Sequence, residues 1–146
     1  LAKFFKSSRL LEMASANQIE IDPVCAKNPH LLHADVSAIV ARDEFGVTDE
    51  DVLSAIRNHT LGRPEMSDLS CVVFVADALE PNRGNTPELE ALRQESFLNL
   101  YSGVYQTCNY SLQYLLSSHL TIHPRTILTR NWALQIVKQE LKNKFV

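Results

Sequence analysis

The sequence predicts an all-α bundle, and three observations carry the prediction. Apolar residues recur at intervals of three and four along most of the chain, the spacing that lines one face of an α-helix. Ser, Thr or Asp stands just before several of these stretches, where its side chain can accept hydrogen bonds from the first free N–H groups of a helix. No segment alternates convincingly with the period of two expected of a half-buried strand.

In chain order, Ser7 or Ser8 can cap a first helix through about Ala16, with Leu10, Leu11 and Ala14 on one face. A loop rich in turn formers follows, through Asp22-Pro23 and Asn28-Pro29. Val36, Ile39 and Val40 give helical spacing from about His33 to Phe45, and Gly46 is a natural stop. Thr48-Asp49-Glu50-Asp51 resembles a capping box, with Val52, Leu53 and Ile56 carrying the next helix to about His59 before Gly62-Arg63-Pro64 breaks it. Ser67 can cap a helix to about Leu79, which Glu80-Pro81 ends because a residue before proline is pushed out of the helical region. The run from Cys71 to Ala76 is β-branched enough for a buried strand, but with no sheet to join it reads as a helix buried all round. Thr86-Pro87, a cap followed by proline in the first turn, starts another helix. Phe97, Tyr101, Val104, Cys108, Leu112 and Leu115 mark a longer amphipathic helix to about Ser118. His123-Pro124 opens a last helix through roughly Leu141, with Ile127, Leu134, Val137 and Leu141 facing inward.

The chain of 146 residues fits a single domain spanning residues 1–146 and is long enough to bury a core. Its 45% hydrophobic and 21% charged residues are ordinary globular proportions. The net charge of −3 gives no global field for polyanions, so a bound phosphate would need a local basic pocket. Nucleic acid is not an expected partner, since Phe97, Tyr101 and Tyr105 fall on the core stripe rather than on an exposed stacking platform. Cys25, Cys71 and Cys108 are odd in number and widely separated, which argues against a disulfide framework and suits a reducing cytoplasm. No apolar run spans a bilayer, and Leu1 to Phe5, interrupted by Lys3, is not a signal peptide.

Asp77 is the most informative candidate for chemistry, as the one polar side chain between Cys71 and Leu79. A carboxylate carried into a core is costly unless it is paired, protonated or bound to a metal. The alternatives are a solvent-facing position or a pairing with Arg83. His33 stands where one helix begins and His59 where another ends, so each imidazole could point into a cleft between helices; imidazole and carboxylate together suit zinc, iron or manganese. Read singly, each is more often a surface or capping histidine than a ligand. Arg63, Arg83 and Arg125 lie near the same turns, and guanidinium groups bind phosphate oxygens in pairs, although arginines near helix ends are commonly solvated. Arg125 also follows His123-Pro124 at a helix start, where free N–H groups favour an anion.

The runs Asn28-Pro29-His30-Leu31-Leu32-His33, Ile56-Arg57-Asn58-His59-Thr60-Leu61-Gly62-Arg63-Pro64, Phe74-Val75-Ala76-Asp77-Ala78-Leu79-Glu80-Pro81-Asn82-Arg83 and Ile122-His123-Pro124-Arg125-Thr126 resemble, in this order, the YqeK family. These are bacterial HD-domain hydrolases that split symmetrical dinucleoside tetraphosphates, such as diadenosine tetraphosphate, into two nucleoside diphosphates. The resemblance implies an all-α, HD-domain-like helical bundle and a divalent transition metal, iron in such proteins, as one or two ions. It implies that Asp77 is the late metal-binding Asp, and that His33 and His59 are metal ligands or contacts to the substrate phosphates. Lys3 looks like the lysine of an HDxxK motif. Arg63, Arg83, His123, Pro124, Arg125 and Thr126 are then expected to contact the nucleotide. If Lys3 is that lysine, the His-Asp pair would lie immediately before Leu1, and the chain as written is an N-terminally shortened form of such a domain. The expected partner is a dinucleotide or nucleotide, with room for a homodimer and a cytoplasmic location. Two other functions stay open: another HD nucleotide phosphohydrolase, and a metal-free helical module that binds a nucleotide or a protein.

Overall fold

The computed structural model describes residues 2–144, and among them every regular element is helical. A 3₁₀ turn at Ala2–Phe4 leads into α1 (Ser7–Ala16), α2 (Pro23–Lys27), a second 3₁₀ turn (Pro29–Leu32), α3 (His33–Phe45) and α4 (Glu50–Asn58). Then come α5 (Asp68–Leu79), a 3₁₀ turn at Pro81–Arg83, α6 (Pro87–Leu98), α7 (Leu100–Ser117) and α8 (Pro124–Lys144). Successive neighbours α3 with α4, α4 with α5, α6 with α7 and α7 with α8 pack together, and α5 also packs on α7.

Local chemistry accounts for most boundaries. Ser67 accepts from the Ser70 N–H to start α5, and Thr86 accepts from the Leu89 N–H to start α6. At the start of α4 the capping side chain is Asp49, which accepts from Asp51 and Val52, rather than Thr48. Gly46 ends α3 in the left-handed conformation, with φ 67°. Two apolar clusters result. Leu10, Ala14, Cys25, Leu32, Val36 and Val40 join α1, α2 and α3. Cys71, Phe74, Leu79, Leu89, Val104 and Cys108 join α5, α6 and α7, with Ala133 of α8 and Met66.

Five expectations besides the Thr48 cap are corrected. Neither Ser7 nor Ser8 caps the first helix: both lie inside α1, and Lys6 precedes it with no side-chain cap bond. The Asp22–Asn28 stretch is not all loop, because Asp22 followed by proline is itself a helix start: its carboxylate accepts from Val24 at 2.7 Å and Cys25 at 3.0 Å. The long helix expected through Phe97 is two helices, broken at Asn99, whose extended backbone and side chain cap α7; Phe97 consequently ends on the surface, 87% exposed. Helix α5 is not buried all round, since its Val72, Ala76 and Asp77 face outward. On α8, Ile127 and Leu141 are exposed, and the inward face is instead Thr126, Thr129 and Ala133, small enough for the loop at Leu61-Gly62 to lie directly against it.

Candidate metal centre

His33 is the first residue of α3 and His59 directly follows α4, and the packing of α3 on α4 brings the two rings together. Their Nε2 atoms lie 3.2 Å apart, with the ring planes at 73°. Each Nδ1 is occupied: that of His33 donates to the His30 carbonyl at 2.6 Å, and that of His59 donates to the Ile56 carbonyl at 2.6 Å. A neutral imidazole whose Nδ1 carries the proton presents a lone pair at Nε2. Two such lone pairs 3.2 Å apart repel unless a cation or a shared proton lies with them. An Nδ1 that donates to a backbone carbonyl, leaving the lone pair on Nε2, is how metal-binding histidines are held. The pair therefore fits a divalent metal that would displace the Thr60 hydroxyl, which donates to the His33 Nε2 lone pair at 3.0 Å.

Burial lowers the basicity of His33, and the neighbouring His59 and Lys3 lower it further, against the opposing pull of the His30 carbonyl and of Asp77. Lys3 and Asp77 thus act electrostatically on His33. The premise of an acid embedded in apolar surroundings does not hold for Asp77, whose side chain is 47% exposed. Its position on the outward face of α5 lets Arg83 reach back from the following turn, donating through Nη2 to the Asp77 carboxylate at 3.3 Å and through Nε to the Asp77 carbonyl at 3.0 Å. The pairing with Arg83 is the arrangement the structure adopts.

The remaining candidates are distributed more widely. Arg125 sits in the first turn of α8, donates to the Arg57 carbonyl at 3.4 Å, and places Nη1 at 3.9 Å from Asp35, two residues beyond His33 on α3. Burial raises the Asp35 carboxyl above the usual carboxylate range, against the pull of Arg125 and Arg57. Arg63 is exposed and lines a separate polar groove with Asp51, Ser54 and Ser67. Thr126 is buried, and Pro124 is exposed.

His123 belongs to a cluster that sequence reasoning missed. Its Nε2 donates to Asp22 at 2.8 Å and lies 3.5 Å from Cys25 Sγ, while its Nδ1 accepts from the Arg125 N–H at 3.1 Å. The Asp22, Cys25 and His123 donor atoms all fall within 4.8 Å of one another, close enough to gather a cation. The proton accounting points elsewhere. Because Nδ1 accepts a backbone N–H, the imidazole proton is on Nε2, the atom a metal would need. Burial pushes the Asp22 carboxyl up, yet the hydrogen bonds from Cys25, His123 and Val24 outweigh it and hold the group well below the usual carboxylate range. The trio is a hydrogen-bonded clamp that joins the start of α2 to the start of α8. The sequence signal for it was Asp22-Pro23, a cap signature of the same kind as Thr86-Pro87.

Residues 6–82 match the model of the HD domain family, and the chain belongs to that family. Hydrolases of this family bind divalent metals. Within it, the likeness read from the four motifs is borne out: the chain is 41% identical over 105 residues to "Bis(5'-nucleosyl)-tetraphosphatase, symmetrical" of Bacillus subtilis, covering 72% of this chain and 56% of that protein. It is 31% identical over 104 residues to the protein of the same name from Staphylococcus aureus, covering 70% of this chain and 53% of that one. The chain therefore spans about half the length of these curated relatives. Among solved structures, a predicted HD superfamily hydrolase involved in NAD metabolism from Clostridium acetobutylicum superposes with a TM-score of 0.86 at 29% identity, covering 92% of this chain and 70% of that one. The all-α HD fold expected from the sequence is thereby shown.

Proposed function

We propose that this chain is part of a metal-dependent phosphohydrolase that cleaves symmetrical dinucleoside tetraphosphates into two nucleoside diphosphates. The names of the relatives support the reaction, and the facing Nε2 atoms of His33 and His59 are the observation of this structure that carries it. In this reading His33, His59 and Asp77 are the metal ligands and catalytic residues, the metal is iron, and the residues act within one domain in the cytoplasm. A divalent ion at such a site supplies Lewis acidity toward a phosphoryl oxygen and toward water.

The chain's own groups do the rest. The carbonyls of His30 and Ile56 hold the two rings in one tautomer, so that both Nε2 atoms carry a lone pair. Lys3, whose charge is felt at His33, and Arg83, which pairs with Asp77, are the cations that would orient phosphate oxygens and offset their charge. Arg125, held by Asp35 and the Arg57 carbonyl, is the cation available from α8. Of the other candidates, His123 acts through its clamp with Asp22, which fixes the turn that carries Arg125, rather than by touching nucleotide. Thr126 and Pro124 share that turn, and Arg63 is left as an outlying contact.

The experiment is product analysis. Protein loaded with Fe²⁺ or Mn²⁺ and given diadenosine tetraphosphate should release ADP as the sole nucleotide product, and His33→Gln or His59→Gln should abolish turnover. Release of AMP with ATP, or turnover unchanged in both variants, would contradict the assignment.

A further inference from the structure

We infer that Arg93 is a positioning residue: from α6 it fixes the backbone of the turn between α5 and α6, and through that backbone it sets where the Arg83 guanidinium stands beside Asp77. The inference rests on the phosphohydrolase reading, in which Arg83 meets substrate phosphate and Asp77 binds metal, and it adds a residue that touches neither.

Pro81 pushes Glu80 out of the helical region, to ψ 153°, so α5 ends at Leu79 with carbonyls that no helical N–H reaches. Arg93 supplies donors to this end. Its Nε donates to the Leu79 carbonyl at 2.8 Å, and its Nη2 to the Gly84 carbonyl at 2.7 Å and the Glu80 carbonyl at 3.3 Å. Nη1 lies 3.5 Å from both the Asn85 side-chain oxygen and the Glu90 carboxylate. One guanidinium thus grips backbone on both sides of Pro81–Arg83, with only 16% of its side chain exposed. Gly84 presents its carbonyl from φ +119°, a conformation that residues with a Cβ rarely adopt.

Arg83 has no comparable hold of its own. Its contacts to the Asp77 carboxylate at 3.3 Å and to Glu80 at 3.7 Å are made with 43% of its side chain exposed, and exposed ion pairs do little to fix a backbone. The Arg83 N–H donates to the Glu80 carbonyl at 2.9 Å, the same oxygen that accepts from Arg93. That shared carbonyl links the two arginines. Charged donors on carbonyls, largely out of water, are the stronger restraint. Lysine would not replace Arg93, because one ammonium nitrogen cannot span the carbonyls that a planar fork reaches.

The test combines kinetics with amide exchange. In the metal-loaded protein, Arg93→Lys should lower kcat/KM for diadenosine tetraphosphate by about tenfold, the scale of one lost charge-assisted contact, and Arg83→Ala by at least as much. The double variant should stay within about twofold of Arg83→Ala alone, because Arg93 acts only through Arg83. In the metal-free protein, Arg93→Lys should speed hydrogen exchange at the Asn82, Arg83 and Gly84 amides, with Mn²⁺ affinity and helical circular dichroism unchanged. Gly84→Ala, which disturbs the same contact from the carbonyl side, provides the comparison should Arg93→Lys disturb folding. Losses that multiply in the double variant, or wild-type turnover in Arg93→Lys or in Arg83→Ala, overturn the positioning role and leave the hydrolase reading standing. Wild-type protein that binds metal and turns over no dinucleotide overturns the hydrolase reading and the positioning role with it.

Discussion

His33 and His59, from the start of one helix and the end of another, point their Nε2 atoms at each other across 3.2 Å, while each Nδ1 donates to a carbonyl three residues earlier in its own segment. The two local hydrogen bonds fix the tautomers, and the packing of α3 on α4 fixes the separation. What this builds is a pair of facing imidazole nitrogens, with the Thr60 hydroxyl 3.0 Å from that of His33. Lys3 and Asp77 act on His33 through their charge, and Arg83 pairs with Asp77.

The Asp22–His123 clamp should make stability depend on acid pH. The folded-state pKa of Asp22 is depressed, so its contribution is fully present above the unfolded carboxylate value near 4 and is lost progressively as the pH falls from there toward the folded value. Denaturant titrations between pH 6 and pH 3 should show wild type losing more stability than Asp22→Asn over that range; parallel curves would count against the clamp.

The three thiols should be inert in the native state. Cys25, Cys71 and Cys108 are all buried, and burial pushes each up to about 12, with Asp22 adding to the effect at Cys25. At pH 8 the folded protein should resist an aromatic disulfide reagent, and all three thiols should react once denaturant is added. Rapid labelling of any one under native conditions would show that it is exposed or activated.

Gly62→Ala should be strongly destabilising. Gly62 has φ +62°, and a Cβ there would meet the Thr129 side chain at 2.5 Å. Thr129 cannot easily turn away, since its hydroxyl lies 2.8 Å from the Arg125 carbonyl and 3.1 Å from that of Leu61. Left-handed strain and overpacking together should cost about 3 kcal/mol, measured by chemical denaturation.

Asn99→Ala should cost about 1 kcal/mol, the usual loss for an N-cap, through the hydrogen bond from the Ser102 N–H at 2.8 Å. The same side chain donates to Glu140 on α8 at 2.6 Å, so Asn99→Asp, which keeps the cap but sets two carboxylates together, should recover only part of the loss in thermal melts. Equal stability of wild type and Asn99→Ala would remove Asn99 as the reason α6 and α7 are separate.

Boundaries with a side-chain cap before an apolar run, at Ser67 and Thr86, and the glycine stop at Gly46 were legible. Asn99 was not, because Phe97, Tyr101 and Val104 keep helical spacing across the break, and periodicity alone does not show that the helix axis changes there. The inward face of α8 was misread for a related reason: contact with the Gly62 turn selects small Thr and Ala, which carry little hydrophobic signal. At the site, the pairing of His33 with His59 was legible through motif order, not through spacing. The Asp22 and Cys25 partners of His123 lie far away in sequence, and only the packed fold brings them together.

The most direct measurement is the affinity of the purified chain for Fe²⁺ or Mn²⁺ under anaerobic conditions, compared among wild type, His33→Gln and His59→Gln. If the two Nε2 atoms hold the ion, each substitution should weaken binding by at least about tenfold, with the helical circular dichroism unchanged. Metal binding of equal strength in all three proteins would contradict the histidine pair as the centre of the site.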